Sequence, residues 1–169
     1  MFDDRLFLHV DYKYGPIEVD GNYNPSILIA PQAMRHGDYT PDLATDSIAL
    51  FNMADESLED TLHLIKKIAQ AQKQHASRKL ILCKVATTSE CWRAIVDHGK
   101  DIIFLQGKVL DSTGKPYPYP LALIIFYGEL KGSPMVFTLN VDSLPPSDGF
   151  NRKAMLYARH IENKRVISR

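Results

Sequence analysis

A chain of 169 residues can bury one sizeable hydrophobic core, so it does not need disulfide or metal staples to fold. Its 45% apolar and 24% charged content is ordinary for a globular protein, and 20 basic side chains balance 20 acidic ones. This bulk charge favours neither a nucleic-acid nor a membrane partner, although a local patch stays open. No apolar run reaches the roughly 20 residues of a membrane span, and the N-terminus lacks a signal-peptide pattern. We therefore predict a soluble, cytoplasmic protein.

The first quarter of the chain predicts short strands and a long loop. Residues 6–12 (LFLHVDY), 17–19 and 26–30 (SILIA) are apolar segments separated by turn formers, and each favours a strand. Residues 31–46 carry two prolines, one glycine and three aspartates without periodicity. We predict a loop there, near the edge of the domain.

A strand and a long helix are predicted next. Residues 47–53 (SIALFNM) favour a strand, and residues 54–75 favour an amphipathic helix with Ser57 or Asp55 as its N-cap. The apolar residues that recur at helical spacing are Leu58, Leu62, Ile65 and Ala69. Together with a strand at residues 79–85 this makes a βαβ unit, which is expected to be right-handed.

The segment that follows predicts the inside of an α/β sheet. Its continuous apolar runs are typical of strands covered on both faces. The runs are residues 79–85, 102–105 and 121–127. Between the first two, Thr87 and Glu90 offer a capping box for a short helix, and Gly99 offers a left-handed exit. Cys83 and Cys91 are expected to be buried thiols of a reducing compartment.

The C-terminal part predicts a last strand and a basic helix. The strand covers residues 135–141, and residues 144–149 (LPPSDG) form a linker. Residues 151–164 favour a helix that is either a phosphate-contacting patch or an ordinary solvated face. The candidate nucleic-acid contacts are Arg152, Lys153, Arg159, Lys164 and Arg165. We predict one α/β domain over residues 1–150 and a basic C-terminal helix and tail over residues 151–169.

The order of motifs between residues 48 and 129 is distinctive. A strand ends in small polar residues, Trp92 opens a short helix, and DIIFLQGKV is followed by a Pro/Tyr loop that leads into LALIIFYG. This order resembles the C-terminal half of the phage-type DNA N6-adenine methyltransferases, in which the run reads about E-I-x-F-[IL]-x-G-[RK]-[LIV], then P-x-P, then a-[LI]-[VI]-[VI]-F. The resemblance implies a three-layer Rossmann-like (methyltransferase-like) α/β fold with a mixed sheet flanked by helices.

The resemblance also implies S-adenosylmethionine as cofactor and a site for the adenine amine. In that family the strand before the long helix ends in [DN]-P-P-[YFW], whose amide or carboxylate and prolyl carbonyl accept hydrogen bonds from the amine while the aromatic ring stacks on the flipped base. The matching residues here are Asn52-Met53-Ala54-Asp55, so Asn52 and Asp55 are the candidate catalytic residues. Asn52 is also a common turn residue at a strand end. No G-x-G turn for the cofactor occurs among the nine glycines.

Aromatic and basic residues outside that motif are candidate substrate contacts. Tyr117 and Tyr119 lie two apart between prolines, so both rings could stack on a base, or they could pack over the sheet edge. Trp92 could stack on a base or serve as a core anchor. Lys108 follows Gly107 where the family often has a basic residue, which makes it a candidate phosphate contact. The six histidines are scattered, so neither a metal site nor a histidine-based triad is predicted.

Two functions follow. The first is a DNA adenine-N6 methyltransferase-like protein of phage or prophage origin, dependent on S-adenosylmethionine and acting in the host cytoplasm. The second is a pseudoenzyme that kept the fold and acts as a binding or decoy protein or as a partner subunit. The missing prolines, aromatic residue and glycine turn favour the second, whereas the retained order of elements favours the first. A homo-oligomer is compatible with both.

Overall fold

The computed structural model describes residues 3–17, 48–74, 77–128 and 132–145. In chain order these ranges form α1 (Asp4–Tyr14), β1 (Ala49–Asn52), α2 (Leu58–Gln72), β2 (Lys79–Lys84), α3 (Glu90–His98), β3 (Asp101–Gln106), β4 (Leu121–Phe126), β5 (Met135–Asn140) and a 3-10 turn at Val141–Ser143. None of the helices in these ranges is long and apolar enough to cross a membrane. The predicted strand at residues 26–30, the loop at 31–46 and the basic C-terminal helix and tail lie outside the described residues.

The five strands form one mixed sheet in the order β1-β2-β4-β3-β5. β1 and β2 run parallel with α2 between them in sequence, so the predicted strand-helix-strand unit is confirmed. β4 runs antiparallel to both of its neighbours, and β5 runs parallel to β3 at the far edge. The carboxyl ends of β1, β2, β3 and β5 and the amino end of β4 therefore lie along the same end of the sheet.

Hydrophobic clusters cover both faces of the sheet. Leu80 and Leu82 of β2 belong to the cluster with α1, whereas Ile81 and Cys83 belong to the cluster with α2 and α3, as the alternation of side chains along a strand requires. β2 is buried at all but its last residue and β4 throughout, as predicted for strands covered on both faces. The prediction of a mixed sheet flanked by helices is confirmed.

The N-terminal apolar segment is helical, so the prediction of a strand at residues 6–12 is wrong. Asp3 is the N-cap of α1, and its carboxylate accepts a hydrogen bond from the backbone N–H of Arg5 at 3.0 Å. The buried residues of α1 are Leu6, Phe7, Val10 and Tyr14. Their spacing follows one face of a helix. The apolar segment is too short for its pattern to determine its conformation, so the packing of this face on the sheet determines it.

The helix α2 begins at the predicted N-cap Ser57, whose Oγ accepts a hydrogen bond from the Asp60 N–H at 3.1 Å. Its buried residues are Thr61, Leu64, Ile65, Ile68 and Gln72. Leu58 and Leu62 of the predicted stripe are only partly buried at the margin of this core. The predicted apolar residues and the residues that are buried both recur at helical spacing. Only the position of the sheet determines which of the two sets faces the core.

The helix α3 differs from prediction at both ends. Its N-cap is Ser89 rather than Thr87, because the Trp92 N–H donates to Ser89 Oγ at 3.1 Å. Gly99 ends the helix as predicted, but with a φ of −72° it is extended rather than left-handed. A Cβ at Gly99 would lie 2.7 Å from the Ile95 carbonyl oxygen, so this close approach favours glycine.

The two cysteines are buried and unpaired, which agrees with their expected state as thiols. Burial raises the pKa of the Cys91 thiol to about 11, and burial also raises the pKa of Cys83. Thiols with raised pKa values form little thiolate at neutral pH, and both side chains pack in the core on the α2 and α3 face.

Candidate functional site

The segments that carry the candidate residues meet where β1 and β2 end and β4 begins. β1 ends at Asn52, and the chain stays against β2 because the Met53 N–H donates to the Leu82 carbonyl at 2.8 Å. Just beyond β2, the Val85 N–H donates to the Pro120 carbonyl at 3.0 Å. These bonds bring the turn after β1 and the loop before β4 to the same end of the sheet.

The two candidate tyrosines belong to a loop, residues 107–120, whose arms are held together by hydrogen bonds. The Tyr117 N–H donates to the Val109 carbonyl at 2.9 Å, and nearer the tip the Asp111 N–H donates to the Lys115 carbonyl at 2.8 Å. Because the arms are paired, the position of the tyrosines is set by the base of the loop rather than by its exposed tip.

Four predicted site residues form one group, the tyrosine cluster: Asn52, Asp55, Tyr117 and Tyr119. The Tyr119 hydroxyl donates to Asp55 Oδ1 at 2.7 Å, and the Asn52 side chain lies near the Tyr117 phenol, whose pKa it lowers. The two rings lie 5.9 Å apart at an angle of 40° and pack against the core on the α1 face. The structure thus brings these four residues together, and their catalytic or binding role stays a prediction.

Lys84 flanks the tyrosine cluster and was not among the predicted residues. Its Nζ donates to the Glu56 carbonyl at 3.1 Å and lies 4.9 Å from the centre of the Tyr119 ring. An ammonium over an aromatic face is attracted by the ring, so Lys84 helps to hold Tyr119 in place. The available sequence signal was a cation that ends an otherwise continuous apolar strand.

Burial raises the pKa of the Tyr119 phenol, and the hydrogen bond to Asp55 raises that pKa further. Burial also raises the pKa of Tyr117, against an opposing effect of the nearby Asn52 side chain. Both phenols are therefore neutral near pH 7. A neutral phenol is a poor proton acceptor, so the cluster is better suited to stacking and hydrogen bonding than to general base catalysis.

An alkaline titration followed by tyrosinate absorbance tests this assignment. Since the pKa of Tyr119 is raised on folding, its phenol is expected to ionise above the usual value of about 10, and the stabilisation that it contributes is lost as pH rises above that value. One late ionisation should be lost in Tyr119→Phe, while that of Tyr117 remains. Both should persist in Tyr12→Phe, which removes a tyrosine that is 93% exposed. If Tyr119→Phe instead loses an ionisation near the usual tyrosine pKa of about 10, the assignment is contradicted.

Asn52 is also used by its own turn. Its Oδ1 accepts a hydrogen bond from the Ala54 N–H at 3.1 Å, the geometry of a side chain that caps a turn. Met53 and Ala54, which occupy the positions of the family's two prolines, bury their side chains in the core. The contacts of Asn52 therefore fit the alternative of a turn residue at a strand end, and the same residue also lies in the tyrosine cluster.

Trp92 lies outside the tyrosine cluster. Its indole ring is 8% exposed and lies 5.7 Å from the ring of Phe104. It belongs to the core on the α2 and α3 face, whereas Tyr117 packs on the α1 face. This position does not support the prediction that Trp92 stacks on a substrate beside the tyrosines. It agrees with the alternative prediction that Trp92 is a core anchor.

Lys108 lies at the base of the loop, beside three residues that we call the anchoring network: Asp3, Arg5 and Asp142. The Lys108 N–H donates to Asp142 Oδ1 at 3.2 Å, and its carbonyl accepts from Arg5 Nη2 at 3.1 Å. Asp3 Oδ2 accepts from the Leu110 N–H at 3.1 Å. The network fastens the tyrosine loop to the start of α1. The Lys108 side chain is exposed, and its role as a phosphate contact stays a prediction.

The two strand-to-helix turns of the described residues, after β1 and after β2, do not fit S-adenosylmethionine. A site for this cofactor is expected to have a glycine turn between a strand and a helix and an acidic residue after the next strand. The turns after β1 (residues 53–57) and β2 (residues 85–89) contain no glycine, and β2 ends in Lys84. Across the residues that the structure describes, there is also no group of three or more His, Cys, Asp or Glu side chains that could hold a metal ion.

Comparisons with known proteins give one distant likeness. No family model matches the chain, and no curated protein matches it. A solved structure from Listeria monocytogenes, provisionally described as a class I S-adenosylmethionine-dependent methyltransferase, matches 62% of this chain at 14% identity and a TM-score of 0.34. The match spans 39% of that protein, so this chain corresponds to about two-fifths of its length. No residue role is taken from so distant a match.

Proposed function

We propose that the tyrosine cluster binds an amine-bearing nucleobase, adenine in DNA, and that the chain is a DNA adenine methyltransferase-like binding protein that transfers no methyl group. The observation that carries this proposal is the Tyr117–Tyr119 ring pair beside the Asp55 carboxylate. A flat aromatic surface next to a hydrogen-bond acceptor matches a flat base that carries an amine.

Stacking and hydrogen bonding divide the recognition between them. The Tyr119 ring is partly exposed at the end of the sheet, and a base stacked on an aromatic ring gains about 1–3 kcal/mol. Asp55 is exposed, its Oδ1 accepts from Tyr119, and its Oδ2 accepts no hydrogen bond from the described residues. That oxygen suits an exocyclic amine. Adenine, cytosine and guanine carry an exocyclic amine, thymine does not, and the resemblance to adenine methyltransferases favours adenine.

The same residues argue against methyl transfer. Transfer needs the amine nitrogen held in line with the sulfonium methyl, which is the task of the N-P-P-Y type motif. Here Asn52 Oδ1 already accepts from its own turn, and the aromatic position is taken by Asp55. The turns after β1 and β2, which lead into helices, also lack the glycine expected of a cofactor turn. These features support the pseudoenzyme alternative over the active enzyme.

Fluorescence anisotropy with labelled single-stranded DNA tests base binding. We expect oligo(dA) to bind more tightly than oligo(dT) of the same length, and Tyr119→Ala to weaken oligo(dA) binding about tenfold or more because the stacking surface is lost. Asp55→Ala should reduce the preference for oligo(dA) over oligo(dT). Tyr12→Ala, at an exposed position on α1, is the matched control and should bind as the wild type does. Equal binding by Tyr119→Ala and the wild type would refute the proposed site.

The absence of methyl transfer has a separate test. Calorimetric titration with S-adenosylmethionine and S-adenosylhomocysteine, repeated with Asn52→Ala, measures whether the cofactor binds, and transfer of a labelled methyl group to duplex DNA measures activity. We expect no transfer. Methylated adenine in the product, together with micromolar cofactor binding that Asn52→Ala abolishes, would overturn the non-catalytic reading and establish the methyltransferase.

A further inference from the structure

The edge strand β5 exposes three consecutive large apolar side chains. Met135 is 62% exposed, Val136 59% and Phe137 41%. Side chains of both faces are exposed, and only Leu139 packs at the margin of the core on the α1 face. The residues of β5 are uncharged, and Lys13 of α1 lies beside the strand, 5.9 Å from the centre of the Phe137 ring.

The backbone of β5 is equally unprotected. β5 pairs with β3 through six consecutive residues without a bulge, and within the described part of the chain it is the last strand of the sheet. The Met135 N–H donates toward β3, to the Lys100 carbonyl. Because inward and outward groups alternate along a parallel pair, Val136, Thr138 and Asn140 direct their N–H and C=O groups to the open edge. A regular edge without a charge, a proline or a bulge is suited to pairing with another strand.

We propose that β5 pairs antiparallel with β5 of a second copy of this chain, around a two-fold axis at Thr138. The outward-facing residues are Val136, Thr138 and Asn140, and only an axis at the middle one pairs all three within the strand. Thr138 then exchanges both hydrogen bonds with Thr138 of the second copy. Val136 lies opposite Asn140 of that copy, and Phe137 lies opposite Leu139. Every facing pair is uncharged, and apolar or Thr–Thr pairs stabilise an antiparallel ladder.

A second copy fits this edge because the strand is complementary to itself. A partner must supply a regular, uncharged edge of six residues with outward groups at alternate positions, and β5 itself has that pattern. An isologous contact of this kind closes after two subunits, so it gives a dimer and not a fibre. The two five-stranded sheets become one continuous sheet. Its area is small, so dimerisation should depend on protein concentration.

Sedimentation velocity from micromolar to submillimolar concentration tests the dimer. The wild type is expected to move to twice the chain mass as concentration rises. Thr138→Pro should stay at one chain mass, because proline removes an outward N–H and none of the bonds to β3. Thr138→Val keeps that N–H and should still dimerise. A wild type that stays at one chain mass throughout, or a folded Thr138→Pro that dimerises normally, overturns the proposal.

A charge exchange at the axis decides the register even where Thr138→Pro fails to fold. Thr138→Lys and Thr138→Glu each place like charges opposite one another, so each variant alone should remain at one chain mass. An equimolar mixture of the two should dimerise, because lysine then faces glutamate. Dimerisation of either variant alone, or a mixture that stays at one chain mass, would contradict a two-fold axis at Thr138. Neither outcome bears on base binding by the tyrosine cluster.

Discussion

Replacing Trp92 by alanine is expected to lower the free energy of unfolding by about 3–5 kcal/mol. The indole ring is buried between α3 and the sheet, where it contacts Phe104, and alanine would leave a cavity in that core. Denaturant unfolding followed by far-ultraviolet circular dichroism measures the change, because this signal does not depend on the tryptophan that is removed.

Trp92→Phe is the matched control, since it keeps an aromatic ring against Phe104 and should cost clearly less than Trp92→Ala. The binding of oligo(dA) by folded Trp92→Phe should equal that of the wild type. A Trp92→Ala variant that loses less than about 1 kcal/mol of stability but loses base binding would contradict the core assignment and restore Trp92 as a ligand contact.

Replacing Asp3 by alanine is expected to cost about 2–4 kcal/mol, because it removes the buried partner of a charged group and of a backbone N–H. The Asp3 side chain is 2% exposed and accepts from Arg5 through the backbone N–H, Nε and Nη2, and from the Leu110 N–H. Arg5 is partly exposed, which places the expected cost below that of a fully buried pair. Asp97→Asn, at an exposed carboxylate on α3, should change stability little.

The contribution of Asp3 should depend on pH. Burial alone would raise the pKa of this carboxyl, but the hydrogen bonds from Arg5 and Leu110 outweigh burial and lower it. The stabilisation is therefore present above the unfolded pKa of about 3.9 and is lost as pH falls through the folded value. The stability difference between the wild type and Asp3→Asn should shrink in acid. A difference that stays constant down to pH 2 to 3 would contradict a charged Asp3 as its source, since the linkage requires a titrating group.

Local patterns predicted most of the elements but not the way that they meet. β2 and β4 were readable as continuous apolar runs because both faces are covered, and Ser57 marked the start of α2. The prediction of a strand at residues 6–12 was wrong because the apolar residues there fit both the alternating pattern of a strand and the spacing of a helix. Packing against the sheet resolved it, and a single sequence does not contain that contact.

The sequence allowed the four residues of the tyrosine cluster to be selected, but it did not predict that they lie close together. Asn52 and Asp55 were selected by a resemblance, and the tyrosines by their loop, but only the antiparallel placement of β4 beside β2 brings them together. Lys84 has no local motif, and its position at the end of an apolar strand does not by itself indicate which side chains it contacts. Asp3 was missed for a related reason, since its partner Leu110 lies 107 residues away in the chain.

The proline-rich loop has a consequence for the newly made chain. β4 is a run of six apolar residues without a charge, and before it finds its place between β2 and β3 such a run can stack with copies of itself into aggregates. Pro116, Pro118 and Pro120 stand directly before it and have no N–H to extend an intermolecular ladder. We therefore expect the segment that places the tyrosines in the folded protein to oppose aggregation of β4 during synthesis as well.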